Sequence, residues 1–361
     1  MRMFSDRWSR VIGGVLAGMT TLLLTGMAYQ YVGTALDTRR YLPPGELVDV
    51  GGHKLHLYCT GSGNPTVILD AMGGGWSLYW SLVQPEVAKF TRVCSYDRAG
   101  YGWSEAGPEP RTGQKLAGEL HALLTTGNVA GPYVLVGHSL SGLTARLYRN
   151  QHPADVVGLV LVDSAHEDQV KHQDFRKFLD SGRTRLPAYR AATALGVPRL
   201  MALFGVLPPH MSKQLQQVPE EVRPILQAGW LRTQYLSTVE EESAAVEKTA
   251  EQARGTGLIG DVPLVVVTAV GPEWWPDLPS GIHADRLKEL WLQLQRDLLK
   301  LSPNSSQIFA DKSSHFVPFD QPDAVVAAIR RVTQEVRHTE DQAKSREPRA
   351  PKPLPMPPCP D

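Results

Sequence analysis

The stretch that most constrains the fold lies at residues 133–142, which read Tyr-Val-Leu-Val-Gly-His-Ser-Leu-Ser-Gly. An apolar, β-branched run ends at Gly137, Ser139 follows, and a helix-like segment then continues to Asn150. This order predicts a strand, a tight turn and a helix, with the serine at the turn. Such a turn presents a hydroxyl at the carboxyl end of a strand, beside a helix amino terminus that favours developing negative charge. The stretch therefore predicts a nucleophilic serine in an α/β fold.

The turn resembles the nucleophile elbow Gly-x-Ser-x-Gly of the α/β-hydrolase family, and the resemblance extends over residues 46–336. Residues 137–141 read Gly-His-Ser-Leu-Ser, so Ser141 replaces the second glycine with a residue that is still small. An ordinary glycine- and serine-rich turn is the alternative interpretation. The preceding strand, the following helix and the position of His315 favour the elbow. The resemblance implies a doubly wound, mostly parallel sheet with Ser139 as nucleophile.

Composition argues against several other classes of function. Lysine plus arginine and aspartate plus glutamate both number 37 among 361 residues, and this zero net charge argues against a nucleic-acid partner, which requires a basic excess. The sequence contains no CxxC, no HExxH and no Cys/His cluster, so we expect no metal site. It also lacks a GxGxxG motif after a strand and a P-loop, and we expect no cofactor.

An uncharged run at residues 11–36 is long enough to cross a bilayer, which takes about 20 apolar residues in a helix. Residues 1–10 carry three arginines and one aspartate, which predicts a cytoplasmic N-terminus and a catalytic domain outside the cytoplasm. We interpret the run as a membrane anchor. A cleaved signal peptide, ending near the small residues 33–35, and a buried core helix are the alternatives.

The resemblance implies a hydrolase domain over residues 46–338. Within it, helix-like segments replace strands at residues 167–257, where the family inserts a helical cap. Residues 339–361 are polar and then proline-rich, which predicts a disordered tail. The apolar runs predict strands at residues 46–50, 54–59, 66–71, 92–96, 133–137, 156–162, 264–269 and 307–310.

Two groups of cap residues are interpreted as structural. We expect the large apolar side chains to pack inside the cap rather than to bind substrate: Leu200, Met201, Leu203, Phe204 and Trp230. We expect the acidic residues to form a solvated helix face: Glu240, Glu241, Glu242, Glu247 and Glu251. In the turn after the fourth strand, the resemblance likewise makes Asp97 and Ser104 structural.

The resemblance places the remaining catalytic groups. His315 follows the last predicted strand, where the family carries its catalytic histidine. The oxyanion hole would use the backbone N–H groups of Gly73 and Leu140, since glycine lets the backbone approach a substrate carbonyl closely. The serine disfavours the family branches that use an aspartate nucleophile.

The acid that orients His315 is the least determined of these residues. The family supplies it either from the loop after the strand that begins at Leu264 or from the end of the strand that ends at Val162. The first place offers Glu273 and Asp277, which both lie late in the loop, and the second offers Asp163. We favour Asp163, and both other carboxylates remain open.

The resemblance implies cleavage of a small-molecule carboxylic ester through an acyl-enzyme intermediate. Other acyl hydrolases, namely a thioesterase, a lactonase or an aminopeptidase, are alternatives within the same chemistry. A non-catalytic binding module is an alternative of a different class, because fold does not fix function.

The family's sheet order implies a pairing of cysteines. Cys59 and Cys94 fall on the second and fourth predicted strands, which are neighbours in the family. A location outside the cytoplasm would permit a disulfide between them. Two buried free thiols are the alternative.

Overall fold

The computed structural model describes residues 2–272, 274, 278 and 281–346. These residues form one eight-stranded sheet, and every predicted strand is present to within two residues at each end. Its strands are β1 (Glu46–Asp49), β2 (Lys54–Thr60), β3 (Thr66–Asp70), β4 (Val93–Tyr96), β5 (Tyr133–His138), β6 (Val156–Val162), β7 (Leu264–Ala269) and β8 (Ser305–Ala310).

The order of the strands across the sheet is β1-β2-β4-β3-β5-β6-β7-β8. Strand β2 is antiparallel to both β1 and β4, and all other pairs are parallel. The expected α/β-hydrolase fold is therefore confirmed. Because parallel strands end at the same edge, the segments that follow β3, β5, β6 and β8 meet there.

Helices cover both faces of the sheet and fill the segment between β6 and β7. They are α1 (Arg2–Arg40), α2 (Gln84–Val87), α3 (Gly113–Thr126), α4 (Leu140–Gln151), α5 (Gln173–Arg183), α6 (Leu186–Ala194), α7 (Val197–Leu203), α8 (Pro209–Gln217), α9 (Arg223–Trp230), α10 (Thr233–Ala244), α11 (Val246–Arg254), α12 (Ala284–Leu298), α13 (Val317–Asp320) and α14 (Pro322–Arg346).

Alternating side chains of each strand enter two separate cores. In β5, Val134 and Val136 join the core that contains Val332 of α14, whereas Leu135 joins the core that contains Tyr148 of α4. This alternation follows the two-residue repeat of a strand, and it explains why the central strands read as continuous apolar runs.

The cap segment contains α5–α11, and four of its apolar residues contradict the expectation that they pack inside. Leu200, Met201, Leu203 and Phe204 are 51%, 45%, 71% and 78% exposed. They lie on or just after α7, a short helix at the edge of the cap beside α1, where the described residues provide no covering layer. Trp230, by contrast, is buried as expected.

The two terminal helices are longer than the sequence predicts. Helix α1 includes a candidate membrane span, Trp8–Arg40, with mean hydropathy 1.8, by length and composition alone. Helix α14 continues to Arg346, so the predicted disordered tail is wrong for residues 339–346, where good helix formers extend the last turns. Residues 347–361 lie outside the described residues.

A disulfide joins Cys59 and Cys94, which stand directly opposite each other on the antiparallel pair β2 and β4. The predicted bond is therefore present. It ties an outer strand to the parallel part of the sheet and closes a loop with a sequence separation of 35 residues.

We expect the double substitution Cys59→Ala/Cys94→Ala to lower the free energy of unfolding by about 3–4 kcal/mol, because the open chain gains conformational entropy when unfolded. Dithiothreitol should destabilise the parent protein and leave the double variant unchanged in denaturant titrations followed by tryptophan fluorescence. Equal sensitivity of both proteins to the reductant would contradict the bond.

Candidate active site

Ser139 lies between β5 and α4 in a strained backbone conformation. Its φ of 55° and ψ of −121° are rare for a residue with a side chain. A Cβ atom added to Gly137 would lie 2.5 Å from the Ser141 backbone oxygen, so only glycine fits before the turn. The predicted strand, tight turn and helix are therefore present, and backbone strain of this kind is found mainly at functional sites.

The departure from the second motif glycine has a structural explanation. A Cβ atom on Gly142 would lie 1.9 Å from Ser164 Oγ, so the close approach that requires glycine occurs one position later than in the motif. Ser141 itself donates its hydroxyl to the Ala71 backbone oxygen at 2.5 Å. The serine therefore connects the elbow to the loop that follows β3.

The structure brings Ser139, His315 and Asp163 into one chain of hydrogen bonds. Ser139 Oγ lies 2.9 Å from His315 Nε2, and His315 Nδ1 lies 2.7 Å from Asp163 Oδ2. Because a carboxylate only accepts hydrogen bonds, Nδ1 carries the proton and Nε2 is left to accept from the serine. This tautomer is the one that a general base for Ser139 requires.

Asp163 is held from its other oxygen as well. Its Oδ1 accepts hydrogen bonds from the Trp291 indole N–H at 2.8 Å and from the Ala269 backbone N–H at 3.1 Å. The side chain is fully buried directly after β6, where φ is 37°. The alternative acids, Glu273 and Asp277, lie outside the described residues.

His138 belongs to the same group, although sequence reasoning assigned it no role. Burial, together with the neighbouring His315, lowers its pKa to about 3, so it is neutral at neutral pH. Its Nε2–H donates to the His315 backbone oxygen at 2.8 Å, which helps to fix the loop that carries His315. The only sequence signal was its place inside the elbow motif.

The two expected oxyanion donors are adjacent. A Cβ atom on Gly73 would lie 3.6 Å from Leu140 Cδ2, and both residues line the same cavity as Ser139. The Met72 backbone oxygen accepts from Arg98 Nη2 at 2.8 Å. In a trans peptide the C=O and N–H groups point in opposite directions, so this bond turns the Gly73 N–H away from Arg98.

A buried ionic cluster lies behind this loop and contradicts the expectation for Glu242. Rather than facing solvent, Glu242 is 3% exposed and accepts from Arg98 Nε at 2.9 Å and from Tyr101 at 2.9 Å. Arg98 also donates to Asp70 Oδ1 at 2.7 Å. Burial opposes the charge on Arg98, but Glu242 and Asp70 raise its pKa well above the ordinary value.

Glu242 was expected to face solvent because the charge pattern of a sequence describes one helix at a time, without the elements that pack against it. Arg98 follows β4 and places its guanidinium beneath the cap. It is separated from Glu242 by 144 positions along the chain. Besides Asp70, its counter-charge comes from Glu242 of α10, which packs above it. Glu247 and Glu251, on the next helix, pair with Arg183 and Lys248 at more exposed sites.

The turn after β4 is held by Asp97, which the sequence indicated as structural. Its two carboxylate oxygens accept from the backbone N–H groups of Ser77 at 2.8 Å and Trp103 at 2.9 Å. Ser104 donates to the Asp97 backbone oxygen at 2.6 Å. Burial opposes protonation of the adjacent His56, but Asp97 raises its pKa above the ordinary value.

A cavity of about 460 Å³ opens above Ser139 and His315. Most of its lining is apolar and comes from the cap and the loop after β3. The side chains from the cap include Phe175, Phe178, Leu179, Leu186, Val239 and Val246. Such a space suits an apolar substrate group next to a small number of polar reacting atoms.

Among the described residues, one group of side chains could hold a metal ion, although the sequence indicated no such site. Ligand atoms of His121, His152 and Asp155 lie within 4.8 Å of one another. Helix α4 separates them from Ser139, because its 12 residues span about 18 Å. The chemistry at Ser139 therefore does not involve this group.

We expect Glu242→Gln to lower the free energy of unfolding by about 3 kcal/mol, because it leaves the buried Arg98 without its main counter-charge. Glu251→Gln, at an exposed ion pair on the neighbouring helix, serves as the control and should cause no measurable change. Denaturant titration measures both. Equal stability of the two variants would show that the cluster contributes nothing.

Comparisons with known proteins identify the family of this chain. A family model described as "Alpha/beta hydrolase family" matches residues 61–328. An AB hydrolase superfamily protein of Gibberella zeae is 25% identical over 300 residues, which cover 76% of this chain and 87% of that protein. A probable transporter of Hormonema carpetanum, efuK, is 34% identical over 129 residues, but these cover only 34% of this chain and 18% of that protein.

Solved structures share the fold. An esterase from Thermogutta terrifontis is 18% identical, with a TM-score of 0.56 over 81% of this chain and 98% of its own. Structures with this fold also include epoxide hydrolases. At this level of identity the likeness shows the fold and does not identify the reaction.

Proposed function

This chain belongs to the alpha/beta hydrolase family, and from that premise we propose that it is a serine hydrolase that cleaves carboxylic esters through an acyl-enzyme intermediate. The observation that carries the proposal is the hydrogen-bond chain from Ser139 through His315 to Asp163. Hydrolase activity itself follows from the family. Ester cleavage and a serine nucleophile are what we add as a proposal.

In the proposed first step, Ser139 Oγ attacks the ester carbonyl while His315 Nε2 takes its proton. His315 then gives that proton to the departing alcohol. In the second step, water loses a proton to His315 and attacks the acyl group. The bond between the acyl carbon and Ser139 Oγ then breaks, His315 returns the proton to that oxygen, and the acid is released. Asp163 holds the imidazole in the required tautomer and stabilises its cationic form.

The negative charge on the carbonyl oxygen would be stabilised by the N–H groups of Gly73 and Leu140. Each such donor is typically worth about 3–4 kcal/mol in the transition state. Leu140 supports this role because it is the first residue of α4, whose amino terminus favours negative charge. Gly73 supports it because Arg98 fixes the peptide that carries its N–H.

The same residues bear differently on two other functions. Thioesters, lactones and amides would use the same steps, so the alternatives among acyl substrates differ only in the bond that is broken. A non-catalytic binding module would not require the aligned Ser139, His315 and Asp163. The alignment therefore favours an enzyme that acts on a small-molecule acyl substrate.

We also propose that α1 is a single-pass anchor and that the hydrolase domain lies outside the cytoplasm. Apolar side chains such as Leu16, Leu22 and Leu24 are more than half exposed along α1. Residues before the apolar run carry the positive charge that favours a cytoplasmic N-terminus.

We expect Ser139→Ala to abolish turnover of a short-chain p-nitrophenyl ester and Asp163→Asn to lower kcat by about 10⁴, because the histidine tautomer is lost. Asp311→Asn, at an exposed site near the end of β8, is the matched control and should keep parental kcat. Circular dichroism establishes that each variant is folded. A folded Asp163→Asn variant with most of its activity would instead indicate Glu273 or Asp277 as the acid.

We expect the full chain to remain in the membrane fraction after alkaline extraction, because α1 crosses the bilayer. Protease added outside intact cells should digest the hydrolase domain. A variant that lacks residues 1–36 should be extracted. Release of the intact full chain by alkali would refute the anchor, and complete protection from protease would refute its orientation.

A further inference from the structure

An apolar surface on the cap is left uncovered by the described residues. We call it the α7 surface, and it consists of Val197, Leu200, Met201, Leu203, Phe204 and Val206, which are 43–78% exposed. Arg199 is the only charged residue between positions 191 and 209. A contiguous apolar surface of this kind on a soluble protein marks an interaction site.

The charge of Arg199 does not interrupt this surface. Arg199 Nη1 lies 2.6 Å from Asp37 Oδ2 on α1, and the side chain is only 11% exposed. Its Nε also donates to Gln30 on α1 at 3.2 Å. The arginine therefore faces α1, and the apolar side chains of α7 face outward.

The α7 surface is continuous with the apolar helix α1. A Cβ atom on Gly26 would lie 2.6 Å from the Leu195 backbone oxygen, and one on Gly196 would lie 2.7 Å from Tyr29 Cδ1. Such close approaches require the glycines, and they fix α7 beside the carboxyl-terminal half of α1.

The position of this contact along α1 gives its depth in a membrane. A helix rises 1.5 Å per residue, so Gly26 lies about 22 Å from the start of the uncharged run at Val11. The hydrocarbon core is about 30 Å thick. The contact at Gly26 therefore falls inside the span, and α7, whose Arg199 reaches Gln30 and Asp37, lies at its boundary.

Helix α6 connects the contact with α1 to the cavity above Ser139. Leu186, at the start of α6, lines the cavity, and Leu195, just after the end of α6, touches α1. Helix α6 has nine residues, so this path is about 13 Å long. The apolar lining of the cavity and the α7 surface therefore lie at opposite ends of one short helix.

We propose that the α7 surface inserts into the membrane leaflet next to the hydrolase domain, and that the substrate is an apolar ester dissolved in that leaflet. The ester would enter the cavity along α6 without crossing water. This inference rests on the proposed ester hydrolysis and on the anchor, and it adds the source and class of the substrate. Apolar helix faces bind at this depth, at the boundary of headgroups and acyl chains.

The first test measures insertion directly on the full chain in phosphatidylcholine vesicles. Leu203→Trp should gain fluorescence that brominated phosphatidylcholine quenches. The matched control is Leu258→Trp, at a residue that is 72% exposed, against 71% for Leu203. It precedes β7, at the edge of the sheet opposite the cap, and should not be quenched. Equal quenching of the two added signals would overturn the insertion.

The second test separates the source of the substrate from the reaction. In the same vesicles, Phe204→Glu should lower turnover of a long-chain ester dissolved in the bilayer by about tenfold, because a large apolar group leaves the lipid phase. Turnover of a water-soluble short-chain ester should not change. Leu258→Glu is the control and should affect neither substrate.

The outcomes distinguish the inference from the proposed function. If the parent protein turns over neither ester, the proposed function fails, whatever the quenching shows. If it turns over both and Phe204→Glu lowers both equally, entry from the leaflet is overturned. If Phe204→Glu instead abolishes self-association of the chain in detergent and Leu203→Trp is not quenched, a second copy covers the surface and the inference is wrong.

Discussion

The buried guanidinium of Arg98 is the interaction on which the arrangement of the site depends. It connects Asp70 at the end of β3, the carbonyls of Ala71 and Met72, the elbow residue Ser141 and Glu242 of the cap. Burial of a charge is tolerated only when its partners satisfy it fully, so the three segments that carry these partners must come together around Arg98 for any one of them to be stable. The loop after β3 therefore acquires a fixed orientation, and the Gly73 N–H points away from Arg98.

The parallel sheet supplies the second constraint. Strands β5, β6 and β8 end at one edge, which is why residues from positions 139, 163 and 315 meet although they are far apart in sequence. Two of these side chains are then held by groups outside the chain of hydrogen bonds. Asp163 is fixed by Trp291, and the loop of His315 is fixed by the neutral His138. Such supporting contacts keep these side chains oriented, which a loop on its own would not do.

Much of this arrangement could be predicted from the sequence, because its signals are local. The elbow, the apolar strands and the position of His315 after the last strand are patterns of a few residues. The Cys59–Cys94 pair could be predicted from the sheet order that the family resemblance implies. Glu242 and the apolar residues of α7 were misjudged for one physical reason. Whether a charged or apolar side chain faces water depends on what packs against its helix, and those partners, Arg98 and α1, are distant in sequence.

The sequence by itself determined the α/β architecture, the strained turn at Ser139 and the apolar run that can span a membrane, since each follows from periodicity, small residues or length. Only the tertiary structure decided which groups share the space around the serine. It brought Asp163 within 2.7 Å of His315, buried Glu242 of the cap against Arg98 and set α7 beside α1. These outcomes depend on packing between segments more than 100 residues apart. Such contacts decide whether a charged side chain is buried and paired, and whether an apolar side chain is covered.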